Sequence, residues 1–316
     1  MSLLILFIDS NHDILHESLV KAGMKCDLNY HWTREEIESH LHLYDGIVIR
    51  SRIKLDKALI DKGTKLKFIA RAGAGMENID VEYARSKGIA CINSPKGNKD
   101  AVAEHAIGML LALFNNLCRA NREVREGKWI REGNRGLELM GKTIGIIGYG
   151  NMGMAFALRL KGFDVKVLAY DKYKNNFTDS FATESSLVQI QKEADIVSLH
   201  VPLTPETEYM VNDSFLQKFK KDIFIINTAR GKVLNTADLL MNIERGKVRG
   251  ACLDVLEFES GSFEDLQKGN RPAAFDQLLL SDKVMLTPHI AGWTQESNRK
   301  IAEVLAGKII AQFSPK

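Results

Sequence analysis

The feature that most constrains this chain is a glycine-rich turn that directly follows an apolar, strand-like run. The run at 142–147 is followed at once by Gly148, Tyr149, Gly150, Asn151, Met152 and Gly153, and then by an amphipathic helical pattern. The first glycine permits a tight turn, the second lets the backbone approach a pyrophosphate, and the third lets helix and strand pack closely. The helix N-terminus adds free N–H groups and a positive dipole end. The pattern predicts a dinucleotide site within a βαβ unit.

An acidic residue after the next strand-like run indicates which dinucleotide is bound. The run 165–170 ends at Asp171, 18 residues beyond Gly153. A carboxylate there accepts hydrogen bonds from ribose hydroxyls and repels a 2′-phosphate. Lys172 and Lys174 lie nearby and leave some tolerance of NADP open, but no arginine directly follows Asp171. We therefore expect NAD, while an acid that merely caps a turn is the simpler alternative.

Composition and charge exclude several other classes of protein. The 316 residues carry 43 basic and 40 acidic side chains, a net charge of +3 with no basic stripe, so we expect no nucleic-acid partner. The apolar run at 3–8 is too short for a membrane span, and no longer one follows. The cysteines are far apart and form no CxxC pair, which favours reduced thiols in a cytoplasm and no metal site.

Strand-like runs alternate with helix-length amphipathic segments along most of the chain. The predicted strands are 3–8, 46–49, 67–70, 144–148, 165–170, 195–199, 223–227, 250–253 and 284–287. Such alternation predicts βαβ units and parallel sheets. We expect an α/β protein with two doubly wound domains: a flavodoxin-like substrate-binding domain at 1–98 plus 289–316, and a Rossmann NAD-binding domain at 99–288. Two long helices, near 99–116 and 294–313, would then cross between them, with a cleft between the domains.

Three later segments each end a strand-like run with ionisable residues: Arg230 after 223–227, Asp254 and Glu259 after 250–253, and His289 after 284–287. In an open parallel sheet, ligands bind outside the carboxyl ends of the strands. A histidine can exchange a proton near neutral pH, a carboxylate can fix its tautomer, and an arginine can hold a substrate carboxylate. Taken singly, each residue also fits an ordinary surface or loop role.

Taken together, the segments resemble the D-isomer-specific 2-hydroxyacid dehydrogenase family. The matching motifs are Arg71–Asp80, Asn93–Pro95, Ala103–His105, Gly141–Gly153, Asn227–Gly231, Gly250–Glu259 and Thr287–Gly292. The resemblance implies transfer of a hydride between NAD and carbon 2 of a small 2-hydroxy or 2-oxo acid. It implies Arg230, Glu259 and His289 as catalytic residues, with His289 as the acid/base, and a homodimer formed largely by the cofactor domains.

The resemblance also assigns binding roles. Asp254 would bind the nicotinamide carboxamide. His289, besides acting as the acid/base, would also line the cofactor. The other implied cofactor-lining residues are Val102, His200, Pro202, Thr207, Thr228, Ala229 and Gly292. The implied substrate-binding residues are Arg50, Arg71, Ala72, Gly73, Ala74, Gly75 and Arg230.

Within the family, the resemblance is to members that convert 3-phosphoglycerate to 3-phosphohydroxypyruvate, the first step of serine biosynthesis, without a C-terminal regulatory domain. Arg52, Lys54, Lys96 and Lys99 add positive charge to Arg50 and Arg71. This basic cluster suits a phosphorylated acid, or is a solvated rim. Glyoxylate, hydroxypyruvate and D-lactate are alternative substrates. An NADH-sensing corepressor is an alternative of another class. Formate dehydrogenases share the fold but lack a glutamate like Glu259.

The chain departs from the family pattern around Glu259. Ser260 stands where the family usually has proline, and residues 260–274 look like an insertion that could cover the cleft. These departures leave Glu257 as an alternative partner for His289.

Overall fold

The computed structural model describes residues 2–259 and 272–314, so the greater part of the proposed insertion lies outside the described residues. In chain order its elements are β1 (Leu4–Phe7), α1 (Asp13–Lys21), β2 (Lys25–Leu28), α2 (Arg34–His40), β3 (Gly46–Ile49), α3 (Lys57–Lys62), β4 (Phe68–Arg71), α4 (Val81–Ser86), β5 (Ala90–Asn93), α5 (Lys99–Phe114), α6 (Leu117–Arg125), β6 (Thr143–Ile147), α7 (Asn151–Arg159), β7 (Lys166–Tyr170), β8 (Thr183–Glu184), α8 (Leu187–Glu193), β9 (Ile196–Leu199), α9 (Asp213–Leu216), β10 (Ile223–Asn227), α10 (Thr236–Glu244), β11 (Val248–Leu253), α11 (Ala273–Leu280), β12 (Val284–Leu286) and α12 (Gln295–Phe313).

Two compact units make up the described chain, the first from 2–99 and 293–314 and the second from 100–259 and 272–292. The boundary therefore falls after Gly292 rather than before His289. The reason is local: the backbone N–H groups of His289 and Ile290 both donate to Asp254, which belongs to the second unit.

The first unit is a parallel sheet in the order β2-β1-β3-β4-β5. This is the flavodoxin-like order, with β1 in the interior. The returning helix α12 packs against one face, where Leu305 and Ile309 join Phe7 and Phe68 in a common core. Apolar side chains of the same strands, such as Leu6 and Ile47, pack on the other face. Both faces are therefore covered, as expected for a doubly wound sheet.

The second unit is a parallel sheet in the order β12-β11-β10-β9-β6-β7-β8. The order reverses at β6, which is the Rossmann arrangement. Alternate residues of β6 enter different cores: Ile146 packs with Ile196 on one face, and Ile147 packs with Val197 on the other. The predicted fold class of two doubly wound parallel-sheet domains is confirmed.

Strands β2, β5 and β8 are not among the strands predicted from the sequence. All three are short strands at the edge of a sheet. In β2, Lys25, Asp27 and Leu28 are exposed, so the apolar run that marks a buried strand is missing.

Within the described ranges no single helix is long and apolar enough to cross a membrane. The helix pair Lys99–Phe114 and Leu117–Arg125, bent by 58°, meets the length and composition criteria only when the two are taken together.

Candidate active site

The glycine-rich turn lies between β6 and α7, at the point where the strand order of the second sheet reverses. Gly148 has φ +94°, and a Cβ there would lie 2.5 Å from the carbonyl oxygen of His200. A Cβ at Gly153 would lie 2.2 Å from the carbonyl oxygen of Gly148. A Cβ at Gly150, by contrast, would meet no described atom within 4 Å. Two glycines are thus required by packing, whereas the space beside Gly150, the N-cap of α7, is open. The first N–H groups of a helix, here from Asn151 and Met152 onwards, have no partner within the helix.

Asp171 is held beside this turn by backbone hydrogen bonds. Its Oδ2 accepts from the N–H of Tyr149 at 2.9 Å, and its Oδ1 accepts from the N–H of Tyr173 at 3.0 Å. Lys172 pairs with Glu206, and the ammonium of Lys174 donates to the carbonyl oxygen of Tyr149 at 2.7 Å. Both lysines near the predicted ribose site thus have partners within the chain.

Several of the other predicted cofactor-lining residues follow strand ends of the same sheet. His200 directly follows β9, and its Nε2 lies 2.8 Å from Ser198 Oγ. Burial lowers the pKa of His200 to about 4, so its imidazole is neutral at pH 7. The hydroxyl of Thr207 donates to the carbonyl oxygen of Pro202 at 2.6 Å and closes the turn after it. Val102 is buried in α5, and Gly292 ends the segment after His289.

Thr228 presents a buried polar atom that the described part of the chain does not satisfy. It follows β10, and its Oγ1 is buried without a hydrogen-bond partner among the described residues. The adjacent Ala229 is buried, and its N–H donates to Asn227 Oδ1 at 3.0 Å. Buried hydroxyls are nearly always hydrogen-bonded, so this one marks a place for a polar group beyond the described residues. Together with the open space at Gly150, it shows that the residues present fit a bound dinucleotide.

His289 and Glu259 form a close pair. Nδ1 of His289 lies 2.7 Å from Glu259 Oε2, with the side chains 25% and 13% exposed. The other carboxylate oxygen, Oε1, accepts a hydrogen bond from the N–H of Leu256. The alternative partner, Glu257, is directed elsewhere, because its Oε1 accepts from the N–H of Thr236 at 2.9 Å. The structure therefore brings Glu259, not Glu257, to His289.

The turn that carries His289 is built around Asp254. His289 has φ +55°, a left-handed backbone conformation that residues other than glycine rarely adopt. Its N–H donates to the carbonyl oxygen of Asp254 at 2.7 Å. The Asp254 carboxylate, 1% exposed, accepts from Thr287 Oγ1 at 2.6 Å, from the N–H of Ile290 at 2.8 Å and from the N–H of Ala291 at 2.9 Å. This carboxylate, which the resemblance assigned to nicotinamide, is thus engaged in holding the turn.

Arg230 follows β10 and is fixed by its neighbours. Its Nη1 donates to the carbonyl oxygen of Ala229 at 2.6 Å, and its own carbonyl oxygen accepts from Asn227 Nδ2 at 3.0 Å. The next residue, Gly231, lies against the backbone that leads to Glu259, since a Cβ there would be 2.0 Å from the carbonyl carbon of Leu256. Glycine at this position therefore lets the segment bearing Arg230 pack directly against the segment bearing Glu259.

In the first unit, Arg50 and Arg71 occupy adjacent strand ends. Arg71 is the last residue of β4 and pairs with Ile49, the last residue of β3, which Arg50 follows. The Arg50 guanidinium lies over the ring of Trp293, 4.5 Å from the centroid. The Arg71 guanidinium lies against Gly73, where a Cβ would be 2.0 Å from Nη1. These two arginines are therefore neighbours within one unit.

The predicted substrate loop at 72–75 is anchored by the chain around it. The N–H of Ala72 donates to the carbonyl oxygen of Ile49 at 2.8 Å. The carbonyl oxygen of Gly73 accepts from the N–H of Ser94 at 2.8 Å, and that of Ala74 accepts from Asn93 Nδ2. Gly75 completes this loop. The loop is therefore attached to the ends of both neighbouring strands, β3 and β5.

Arg52, which the sequence placed in a basic cluster, is occupied within the first unit. Its Nε pairs with Asp9 Oδ1 at 3.1 Å, and its Nη1 and Nη2 donate to the carbonyl oxygens of Trp32 and Ile8. Its charge is thus partly neutralised by a carboxylate that is nearly buried. Lys96 is exposed to solvent.

One further residue at the site was missed. His105 of α5 places Nε2 3.0 Å from Thr287 Oγ1, within the group around Asp254. Its sequence signal is a polar pair, Glu104 and His105, between apolar stretches of the helix, which by itself assigns no role.

A strand–glycine turn–helix unit, an acid after the next strand and an arginine, glutamate and histidine after later strands together define a nicotinamide-dinucleotide-dependent oxidoreductase. Residues 107–291 match the NAD-binding domain of the D-isomer specific 2-hydroxyacid dehydrogenases. The chain belongs to the D-isomer specific 2-hydroxyacid dehydrogenase family and is an NAD-dependent enzyme of that family, as predicted.

Three known proteins illustrate the similarity. The hydroxypyruvate reductase of Thermotoga maritima is 39% identical over 283 residues, which cover 90% of this chain and 89% of that protein. The D-3-phosphoglycerate dehydrogenase of Archaeoglobus fulgidus is 36% identical over 92% of this chain, but the match spans only 53% of that protein's length. The crystal structure of the D-lactate dehydrogenase of Aquifex aeolicus, complexed with NAD and lactic acid, superposes with a TM-score of 0.79 at 29% identity and covers 98% of this chain and 95% of that one.

Proposed function

We propose that the chain interconverts a small D-2-hydroxy acid and its 2-oxo acid, with Arg230, Glu259 and His289 as the catalytic residues. The observation that carries this proposal is the 2.7 Å contact between His289 Nδ1 and Glu259 Oε2 at the carboxyl ends of the strands of the NAD-binding unit. In this proposal the second unit is the cofactor domain, and the first unit, with Arg50, Arg71 and the loop at 72–75, is the substrate domain.

The chemistry of the pair follows from its geometry. Bound NAD supplies the hydride acceptor, or NADH the donor, for carbon 2 of the substrate. Glu259 accepts a hydrogen bond from Nδ1–H of His289, so Nε2 is the ring atom that exchanges a proton with the substrate oxygen. His289 acts as a base in oxidation and as an acid in reduction. Arg230 binds the substrate carboxylate and stabilises charge on the carbon 2 oxygen.

An unphosphorylated acid of the hydroxypyruvate or glyoxylate type is the substrate class we propose first. Arg52, one of the cations expected to bind a phosphate, forms an ion pair with Asp9 and donates hydrogen bonds to two backbone carbonyl oxygens. The hydroxypyruvate reductase of Thermotoga maritima also matches this chain over nearly its whole length.

A phosphorylated acid, 3-phosphoglycerate with its product 3-phosphohydroxypyruvate, is the second candidate. Arg50 and Arg71 favour it, since they stand at the ends of neighbouring strands and two cations suit a substrate with a second anionic group. It also corresponds to the name of the Archaeoglobus fulgidus relative. Entry into serine biosynthesis would follow only from this second candidate.

The two candidates are separated by following NADH oxidation at 340 nm with hydroxypyruvate, glyoxylate, pyruvate and 3-phosphohydroxypyruvate side by side. A kcat/KM at least about tenfold higher for hydroxypyruvate or glyoxylate supports the first candidate. The opposite order, together with an Arg50→Ala variant that loses turnover of the phosphorylated acid alone, would establish the second. Tight NADH binding without turnover of any acid would instead point to an NADH sensor and contradict the catalytic proposal.

We also propose that the enzyme is a homodimer formed through its cofactor unit and that it acts in the cytoplasm. Large apolar side chains after α5 support the dimer: Trp129 is 81% exposed and Met140 66% exposed. The free thiols of Cys26, Cys91, Cys118 and Cys252 suit a reducing compartment. Light scattering after size-exclusion chromatography tests the dimer, and a Trp129→Glu variant should shift it towards monomer.

A further inference from the structure

A chain of polar contacts runs behind the turn that carries His289. His105 Nε2 lies 3.0 Å from Thr287 Oγ1 and 3.6 Å from Asp254 Oδ1. Thr287 Oγ1 in turn lies 2.6 Å from Asp254 Oδ1. The three residues come from α5, from the segment after β12 and from the segment after β11, so the tertiary fold brings them together. Asp254 is almost wholly buried, so its carboxylate has little access to solvent water, whereas the His105 side chain is 23% exposed.

The directions of these hydrogen bonds follow from the available protons. The Asp254 carboxylate receives two backbone N–H groups, from Ile290 and Ala291, so it serves as an acceptor. Thr287 therefore uses its single hydroxyl proton to donate a hydrogen bond to Asp254. The Thr287 oxygen must then accept, and His105 donates to it from Nε2. The other α5 neighbour of this hydroxyl, Met109, offers a sulfur at 3.6 Å, which supplies no proton.

This chain of hydrogen bonds bears on the conformation of His289. The left-handed backbone of His289 is a conformation that persists only when the surroundings fix it. Asp254 fixes this conformation through both its backbone and its side chain. Its carbonyl oxygen accepts a hydrogen bond from the N–H of His289, and its carboxylate accepts from the next two N–H groups. Any rotation of the Asp254 carboxylate would loosen these bonds, and Thr287 and His105 oppose that rotation.

We infer that His105 is a positioning residue for the reaction: by donating to Thr287 it fixes the Asp254 carboxylate, and through it the turn that aims His289. This inference rests on the proposed function, in which His289 exchanges the substrate proton. His105 itself contacts neither substrate nor the reacting atoms. It acts by keeping the imidazole of His289 in the orientation in which Glu259 can hold Nδ1.

The test compares His105→Phe, which removes the donor, with His105→Gln, whose side-chain amide places an N–H near the position of Nε2. We expect His105→Phe to lower kcat about tenfold, the scale of one lost hydrogen bond. The Kd for NADH, measured by fluorescence titration, should stay within about twofold, because the glycine turn and Asp171 are untouched. His105→Gln should recover most of the turnover. Glu104→Gln, at the adjacent and 70% exposed position of α5, is the matched control and should behave as wild type.

The inference is overturned if His105→Phe turns over like wild type, or if Phe and Gln at this position are equally impaired. If His105→Phe does not fold, two variants of Thr287 are compared instead. Thr287→Val should lose turnover and Thr287→Ser should keep it, whereas equal activities of these two variants would contradict the inference. A His289→Gln variant separates this test from the proposed function. If His289→Gln keeps wild-type turnover, the proposed function fails; if it loses at least about 100-fold while His105→Phe is fully active, only the inference fails.

Discussion

The carboxylate of Asp171 accepts a hydrogen bond from the backbone N–H of Tyr149, 2.9 Å away, in the middle of the glycine turn. The acid and the turn are therefore one structural unit, although 22 residues separate them in the chain. In the proposed site a bound dinucleotide would use both at once, with its pyrophosphate at the turn and its ribose at the acid.

Replacing Asp171 tests the ribose site. We expect Asp171→Ala to raise the KM for NAD by at least about tenfold and to reduce the preference for NAD over NADP, since the repulsion of a 2′-phosphate is lost. Steady-state kinetics with both cofactors measure this. Asp222→Ala, at an exposed position, is the control. An unchanged ratio of the two kcat/KM values would remove Asp171 from the ribose site.

Replacing His289 tests the acid/base assignment. His289→Gln should lower kcat by about 10²–10⁴-fold, because the amide cannot exchange a proton with the substrate oxygen. NADH binding should persist, since the glycine turn is unaffected. Stopped-flow turnover and fluorescence titration measure the two quantities, with His42→Gln at an exposed position as control. Turnover near the wild-type rate would rule out His289 as the proton carrier.

Gly231 tests the packing between the segments of Arg230 and Glu259. Gly231→Ala would put a Cβ 2.0 Å from the carbonyl carbon of Leu256, so the backbone must shift. We expect a loss of about 1–3 kcal/mol in the free energy of unfolding, together with lower kcat. Gly108→Ala is the matched control: it is an exposed helical glycine with open space around it, and alanine there should stabilise by up to about 1 kcal/mol. Urea unfolding measures the free energy of unfolding of both variants. Equal stabilities would contradict the close approach of Gly231 to the backbone of Leu256.

Thr228 tests the fit of the dinucleotide independently of turnover. Its hydroxyl is buried without a partner among the described residues, so Thr228→Val should raise the free energy of unfolding of the cofactor-free protein by up to about 1–2 kcal/mol. The same change should weaken NADH binding if the hydroxyl bonds the cofactor. Thermal unfolding with and without NADH measures both effects. A variant that is less stable and binds NADH as wild type would show that the hydroxyl has a protein partner instead.

The low pKa of His200 makes stability depend on pH. Burial lowers the pKa of this histidine from 6.5 to about 4, so the folded protein binds its proton less readily than the unfolded chain does. Stability is therefore full above about pH 6.5 and falls as the pH drops towards 4. At pH 5 the loss from this residue is about 2 kcal/mol. His200→Gln should reduce the difference in urea unfolding between pH 7 and pH 5 by that amount, whereas His42→Gln should leave it unchanged; an undiminished difference in His200→Gln would contradict the burial of a neutral ring.

Local patterns were sufficient for much of the fold and for the cofactor. Gly148, Gly150 and Gly153 directly after a β-branched run specify a strand, a tight turn and a helix, because the physical requirement at each position is local. The alternation of apolar runs and amphipathic segments likewise determined two doubly wound sheets. Edge strands such as β2 were missed because an edge strand with exposed side chains lacks the apolar run that marks a buried strand.

The sequence by itself determined the α/β class, the glycine turn, the acid that follows it and the set that contains the proposed catalytic residues. Only the tertiary structure decided which members of that set meet. Glu259 rather than Glu257 contacts His289, Asp254 is buried in the turn behind it, Arg52 pairs with Asp9, and His105 reaches Thr287 across 182 residues of chain. The physical reason is that side-chain partners at the ends of parallel strands depend on the register and the turns of separate segments, which no local pattern records.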